Sequence, residues 1–353
     1  MEELWTMYID GTAVQFQQGL TILQVCQQAG VPIPTLCHDK RLKPYGGCRL
    51  CVVEVEGARK PLTACTTPAT DTMSVTTQSP RLLRLRKTVI ELLLSNHPND
   101  CMTCEASGDC TLQEMAYLFG VDGKKFAGDQ WDLPIKEDNP FITFEPNKCI
   151  VCGRCTRICN EVVMAGTIDM TNRGFMAMPD TAFGKPRSLI NCEFCGQCVS
   201  ACPTGALSDR KSRGMGRITE VKRVKTTCSY CGTGCNFYLK VKGNKVVGVD
   251  SDYDAPVNQG NLCIKGRYGW DFIHHEDRLT TPLIKEGDGY RTATWDEALE
   301  YTAKRFNALI KEHGPDTVGG FSSSRCTNEE NFLLSKWVRT AVGSNNVDNC
   351  ARV

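Results

Sequence analysis

Residues 5–16, WTMYIDGTAVQF, alternate apolar and polar side chains on either side of Asp10-Gly11. Alternation marks a half-buried strand, and the Asp-Gly pair supplies the positive backbone angles of a tight turn, so the segment predicts a hairpin. The period then changes. Thr21 and Gln24 have the spacing of a capping box, and Gly30 stands where a short helix should stop. A second helix is expected from Ser79-Pro80, proline being suited to a first turn, with Leu82, Leu85, Val89 and Leu93 as its apolar stripe and Pro98 as its end. A third runs from a Thr111/Glu114 capping box to Gly120. Farther on, NFYLKVKGNKVVGVDSD reads as a hairpin turning at Gly243-Asn244. TATWDEALEYTAKRFNALIKEHG predicts an amphipathic helix with a Thr294/Glu297 capping box, Leu299, Ala303, Phe306 and Ile310 on one face, and Gly314-Pro315 at its end. TVGGFSSS reads as a buried strand and TNEENFLLSKWVRTAVG as the helix after the next loop.

Composition changes this picture in one respect. The chain has 353 residues, 41% of them hydrophobic, which allows two to four domains and demands no stapling. Yet it carries 22 cysteines, and they fall in tight groups. The start, MEELWTMYIDG, is acidic and has no basic or long apolar leader, and no run of about 18 apolar residues occurs. The reading is a cytoplasmic protein without a membrane span, where thiols stay reduced and grouped cysteines serve as metal ligands. A net charge of +1 gives no general reason to expect nucleic acid. The basic stretch from Asp209 to Lys225 reads as a solvated interdomain linker, with a docking face for an acidic partner as the alternative.

Four cysteine groups carry the chemistry. Cys37, Cys48, Cys51 and Cys65, spaced Cys-x10-Cys-x2-Cys-x13-Cys, suit a two-iron cluster, and the glycines of YGGCRLC leave backbone N–H groups free to approach the sulfurs. A four-cysteine zinc site is the alternative for this group alone. His97, Cys101, Cys104 and Cys110 follow as His-x3-Cys-x2-Cys-x5-Cys, again open to zinc when taken alone. Cys149, Cys152, Cys155 and Cys159 form Cys-x2-Cys-x2-Cys-x3-Cys, and Cys192, Cys195, Cys198 and Cys202 repeat it 43 residues later. In that spacing three cysteines hold one cube and the fourth reaches the other, so Cys202 joins Cys149, Cys152 and Cys155, while Cys159 joins Cys192, Cys195 and Cys198. Pro203 follows the second repeat, whereas Asn160 stands where proline would follow the first. Cys228, Cys231, Cys235 and Cys263 make the last group, the Gly243-Asn244 hairpin carrying Cys263 back to the other three.

These motifs carry a resemblance. The first two groups resemble the [2Fe–2S] domain and the one-histidine, three-cysteine [4Fe–4S] site of the large iron–sulfur subunit of respiratory complex I, and of related iron hydrogenases and formate dehydrogenases. The last group resembles the N-terminal [4Fe–4S] domain of molybdenum- or tungsten-bis-pterin oxidoreductases, in which Lys265 matches the lysine between cluster and pterin. The loop at Ser322, Ser323 and Ser324 matches one that approaches the pterin dinucleotide; its glycines make no GxGxxG, so Rossmann-type dinucleotide binding is not supported.

The resemblance implies an α+β multidomain chain: a β-grasp [2Fe–2S] ferredoxin domain at 1–80, the histidine-containing cluster domain at 81–120, a 2×[4Fe–4S] ferredoxin domain at 139–210, the molybdopterin-oxidoreductase [4Fe–4S] domain at 221–280, and the beginning of an α/β molybdopterin domain at 281–353. It implies one [2Fe–2S] and four [4Fe–4S] clusters, and a Mo- or W-bis-molybdopterin guanine dinucleotide in the full-length enzyme. Electrons from formate oxidation to CO2, or toward the reverse reaction, would enter at the Cys228 group beside Lys265. They would leave through the His97 and Cys37 groups to a flavin- and iron–sulfur-containing NAD(P)-reactive subunit or a hydrogenase.

The segment ending in NCARV resembles the approach to the selenocysteine of formate dehydrogenases, so the next codon is expected to be UGA and the catalytic residue to follow Val353. A chain ending there should carry electrons without turning over formate, and residues beyond about 268 should be poorly stabilised alone. The rivals are the large iron–sulfur subunit of an NADH dehydrogenase and a stand-alone electron carrier. Cys26, Cys326 and Cys350 remain unassigned and read as buried structural thiols.

Overall fold

A computed structural model describes residues 4–350, so the NCARV approach lies partly outside the described residues. The described chain forms two units, one through Val221 and one from Lys222 onward.

The first unit opens with β1 (Leu4–Ile9) and β2 (Thr12–Gln17), joined at Asp10 and Gly11, both at positive φ as the tight turn requires. Helix α1 (Ile22–Gln28) begins with the Thr21/Gln24 capping box, and Gly30 follows at φ +71°. Three short strands, β3 (Val52–Val55), β4 (Leu62–Thr63) and β5 (Ser74–Thr76), complete a sheet of order β2-β1-β5-β3-β4. Its central β1–β5 pair is parallel and the rest antiparallel, the β-grasp arrangement. Met7, Ile9, Phe16, Leu23, Val25 and Val53 fill the space between sheet and helix. Each contributes roughly 1.5–3 kcal/mol by leaving water. Cys26 is fully buried there, and burial, with Asp10 nearby, pushes its thiol up to about 11.

Helix α2 (Pro80–Asn96) starts at the Ser79 cap as expected, but its inner face is Leu82, Arg86, Ile90 and Leu94. Leu85 is 40% exposed. The expected stripe was one residue out of phase because the buried face runs through an arginine: Arg86 donates from Nη2 to Val52 O at 2.7 Å. Helix α3 (Thr111–Leu118) also differs at its start. Cys110 is its N-cap and no side chain caps it, so Thr111 lies inside the helix rather than before it; Thr111 N–H donates to Pro203 O instead. Gly120 follows at positive φ.

Strands β6 (Ile142–Phe144) and β9 (Leu207–Asp209) pair across the doubled motif, and β7 (Ile168–Thr171) pairs with β8 (Met178–Thr181). Within it, α4 (Arg154–Arg157) and α5 (Gln197–Ala201) each begin at a glycine in the left-handed region, Gly153 and Gly196. The stretch after Asp209 is largely exposed and reaches the boundary between the two units, as expected of a linker, but its arginines are bonded rather than only solvated. Arg210 donates to Asn139 O, Arg213 pairs with Glu137, and Arg217 donates to Cys104 O at 2.8 Å and Met102 O at 2.7 Å. The letters show only charges there; the fold uses them to tie loops.

The second unit contains β10 (Lys222–Thr227), β11 (Asn236–Lys242) and β12 (Lys245–Ser251) in one antiparallel sheet, the last two turning at Gly243-Asn244. Helix α6 (Ile264–Tyr268) follows, then the hairpin β13 (Leu283–Glu286) and β14 (Gly289–Thr292). Helix α7 (Trp295–His313) is capped by Thr294, but the reciprocal half of the capping box is missing because the Glu297 carboxylate pairs with Arg291. Its expected apolar face is not covered: Leu299 and Ala303 are exposed, Phe306 and Ile310 half-buried. Strand β15 (Gly320–Ser322) pairs parallel with β16 (Val347–Asn349), and helix α8 (Asn328–Trp337) lies between. The strand is not buried as expected, since Phe321 is 86% exposed. A two-stranded sheet offers too little surface to cover these faces.

Candidate metal centres

Among the described residues no three His, Cys, Asp or Glu side chains close around a single point as one metal ion would require. The cysteines instead line wider cradles. Cys51 and Cys65 sulfurs lie 3.4 Å apart, the Cys48 N–H donates to Cys37 Sγ at 3.4 Å, and the Cys37 thiol pairs with those of Cys48 and Cys65. All four expected side chains therefore meet under the β-grasp sheet. Arg157 fastens their loop, donating to Cys37 O and Lys43 O at 2.8 Å each while its guanidinium lies 4.6 Å from the Tyr45 ring centre. Arg154 reaches Asp39 at 3.1 Å, and Asp39 also pairs with Arg41; burial opposes the Asp39 charge, but these partners hold it well below the usual carboxylate range.

His97, Cys101 and Cys110 line one pocket. His97 is buried, its Nδ1 accepts the Asn99 N–H at 3.3 Å, and Nε2 has no partner. Burial lowers its imidazole to about 4, so the ring is neutral, and with Nδ1 accepting, Nε2 carries the hydrogen and is an orphaned buried polar atom facing the site. Cys104 Sγ packs against Gly205, where an added Cβ would meet it at 2.5 Å.

The doubled motif crosses as its spacing suggests. Cys149, Cys152, Cys155 and Cys202 line one cavity. Cys159, Cys192, Cys195 and Cys198 line another. Burial pushes the thiols of Cys149, Cys152 and Cys198 up to about 12. Thiolates in such pockets need compensating positive charge, which iron supplies. Val151 N–H already points at Cys149 Sγ, 3.4 Å away. Cys202 has a second neighbourhood: Cys110 Sγ lies 3.7 Å from Pro203 O.

In the second unit, Cys228 N–H donates to Cys235 O at 2.8 Å, and Cys231 and Cys263 are electrostatic neighbours of both. Hydrogen bonding by Thr233, 3.3 Å away, is the main cause that lowers the Cys231 thiol, with a smaller contribution from the charge of Lys265, exposed on α6. Ser322 donates to Asn331 Oδ1 at 2.6 Å, and Ser323 and Ser324 hydroxyls lie 3.2 and 3.8 Å from Cys350 Sγ. Cys350 is exposed and Cys326 half-buried, so neither is the buried structural thiol expected, because the β15–β16 pair is open on its outer side. Asn328 donates to Gly232 O at 2.7 Å and so ties α8 to the Cys231 loop. Nothing local in the sequence marks the roles of Asn328 and Lys148, whereas Arg157 shows as a charge inside a cysteine motif and Arg217 as one in the basic stretch.

Cysteine cradles of this kind on a β-grasp and ferredoxin-like scaffold define a set of iron–sulfur domains. Residues 3–80 match the 2Fe-2S iron-sulfur cluster binding domain, 86–125 the NADH-ubiquinone oxidoreductase-G iron-sulfur binding region, and 139–208 the ferredoxin-like domain of NADH-quinone oxidoreductase subunit 3. Residues 221–275 match the molybdopterin oxidoreductase Fe4S4 domain and 278–353 the molybdopterin oxidoreductase family itself. The chain belongs to the molybdopterin oxidoreductase family, with iron–sulfur domains of the NADH-quinone oxidoreductase G type.

It is 40% identical over 99% of its length to the NADPH-Fe(3+) oxidoreductase subunit alpha of Geobacter sulfurreducens. It is 35% identical over 98% of its length to a G-type NADH-quinone oxidoreductase subunit of Rhizobium meliloti. YrhE of Bacillus subtilis, provisionally named a formate dehydrogenase, is 31% identical over 98% of this chain. The chain spans about two-fifths of the length of these relatives: 40%, 40% and 39%. A chain of NAD+-reducing [NiFe]-hydrogenase, solved in the H2-reduced state, is 30% identical with a TM-score of 0.57, the match covering 61% of this chain and 91% of that one.

Proposed function

We propose that the chain is the electron-carrying portion of a formate dehydrogenase, passing electrons between a molybdenum or tungsten bis-pterin centre and a flavin- and iron–sulfur-containing NAD(P)-reactive subunit. The observation that carries the electron-transfer role is the crossing of the doubled motif, which puts Cys202 with Cys149, Cys152 and Cys155 and leaves Cys159 with the other three. His97, Cys101, Cys104 and Cys110 would hold a further [4Fe–4S] cluster, Cys37, Cys48, Cys51 and Cys65 a [2Fe–2S] cluster, and Cys228, Cys231, Cys235 and Cys263 the cluster nearest Lys265. When bound, such clusters would exchange single electrons, and a pterin-held metal would supply the two-electron chemistry of formate oxidation.

The chain's own residues set the conditions. Burial of Cys152, Cys155 and Cys198 keeps water away. Arg157 and Arg217 hold ligand-bearing loops through their carbonyls. Lys265 offers a positive charge beside Cys231, and the Ser322–Ser324 loop, tied through Asn331, offers hydroxyls toward a pterin dinucleotide.

The formate reading draws on the approach to Val353 and on relatives such as YrhE. A second reading, the large iron–sulfur subunit of an NADH dehydrogenase with no pterin metal, is favoured by the higher identity to the G-type relative. Anaerobic purification of the full-length protein tests the two. Formate-dependent bleaching of iron–sulfur absorbance with stoichiometric molybdenum or tungsten is the expected result. Bleaching by NAD(P)H alone, with neither metal present, would establish the second reading instead.

A further inference from the structure

Lys148 directly precedes Cys149, yet its side chain turns away from that cradle and toward the His97 group. It is 6% exposed, with Nζ 2.7 Å from Glu145 Oε2 and 3.3 Å from Asp100 Oδ2. Its Cδ and Cys104 Sγ face the same bare Gly205, at 3.7 and 2.5 Å from where a Cβ would stand. On the other side, Lys148 O accepts from Thr204 Oγ1 at 3.0 Å, and that hydroxyl lies 3.6 Å from Cys202 Sγ. The residue thus touches the surroundings of both ligand groups. Arg213 Nη2, 3.9 Å from Glu145 Oε1, is the other cation on this cluster, but it is more exposed.

Taking an ammonium out of water is costly, and a methionine would fill the same space without that cost. A buried cation here therefore asks for an electrostatic explanation. Charge in a poorly solvated region acts strongly on a neighbouring centre that gains an electron. Asp100 and Glu145 hold the ammonium in place and set its field.

We propose that Lys148 is a positioning residue for electron transfer between these two groups, its fixed positive charge favouring the electron on the side of His97, Cys101, Cys104 and Cys110. The proposal rests on the reading of both groups as [4Fe–4S] ligands. The event it biases moves one electron: one group's cluster is oxidised by one, the other reduced by one, no bond forms or breaks, and no proton is transferred.

The test is an anaerobic potentiometric titration of the full-length protein followed by electron paramagnetic resonance, with nitrogen hyperfine coupling marking the histidine-ligated cluster. In Lys148→Met the reduced-to-oxidised ratio of that cluster at fixed potential should fall about tenfold, which is about 59 mV for a one-electron couple. Lys148→Arg should restore it, Glu145→Gln should shift it the opposite way, and the [2Fe–2S] signal should keep its midpoint. An unshifted midpoint in Lys148→Met, with the cluster intact, overturns the proposal. If that variant loses the cluster, Glu145→Gln decides: no upward shift overturns it equally. Absence of any nitrogen-coupled cluster in the wild-type protein removes the ligand reading and the proposal with it, and is told apart because it appears before any substitution.

Discussion

The sulfur of Cys104 rests on the bare Cα of Gly205, a residue in the segment that follows the second cysteine repeat. A methyl group at 205 would come within 2.5 Å of that sulfur. Overpacking of this kind usually costs roughly 1–3 kcal/mol, and here the displaced atom is a ligand candidate. Gly205→Ala should therefore lose the histidine-type cluster while keeping the others. Iron analysis together with the nitrogen-coupled resonance checks this; a full complement of iron and an unchanged spectrum would refute it.

Arg157 holds the Cys37 loop by a fork that reaches two carbonyls at once. A lysine has the charge without the fork. Both Arg157→Ala and Arg157→Lys should speed loss of the [2Fe–2S] cluster under mild chelation by severalfold. Bleaching of the visible spectrum over time reads the rate, and wild-type kinetics in Arg157→Lys would show that charge alone suffices.

Arg86 is the polar member of the buried face of α2 and satisfies Val52 O. Truncation leaves that carbonyl without its partner and opens a void. Arg86→Ala should lower stability by about 2–4 kcal/mol, visible as a reduced midpoint of chemical unfolding. Leu85→Ala, on the neighbouring but more open position, should cost less than about 1 kcal/mol.

Removal of iron should act unevenly along the first unit. The β-grasp core takes in two expected ligands, Cys51 and Cys65, among many aliphatic and aromatic side chains, whereas five, Cys149, Cys155, Cys159, Cys198 and Cys202, are part of the packing around Ile142 and Phe144. Anaerobic chelation should abolish amide-exchange protection across 149–202 before it does so across 4–28. Simultaneous loss in both segments would contradict that difference.

The contrast between these residues shows what the sequence could reveal. Asp10-Gly11, Thr21 with Gln24, and Ser79-Pro80 act within a few positions of themselves, so their consequences are local and visible in the letters. The cysteine spacing is equally informative, because a cluster fixes where its ligands stand. Arg86 stands on the buried face of α2 where the letters show only a charge, since its burial depends on Val52, 34 residues away. Thr111 lost its expected capping role because Cys110 occupies the cap and Pro203 receives the Thr111 N–H. Glu297 gave up its half of a capping box to Arg291. Lys148 and Asn328 had no local mark, and Arg217 only its charge, their partners being brought in by the fold alone.

The bond from Arg157 to Cys37 O spans 120 residues. A ribosome releases Cys37 long before it makes Arg157, so the first metal pocket stands open through much of translation and closes only when the downstream ferredoxin-like segment arrives. Cys149 waits likewise for Cys202. Maturation of this protein is thus ordered by its own topology: each pocket waits for a residue made well after its first ligand, Arg157 for the Cys37 site, Cys202 for the Cys149 site and Arg217 for the His97 site, so an iron–sulfur donor meets a partly built chain whose pockets are still open.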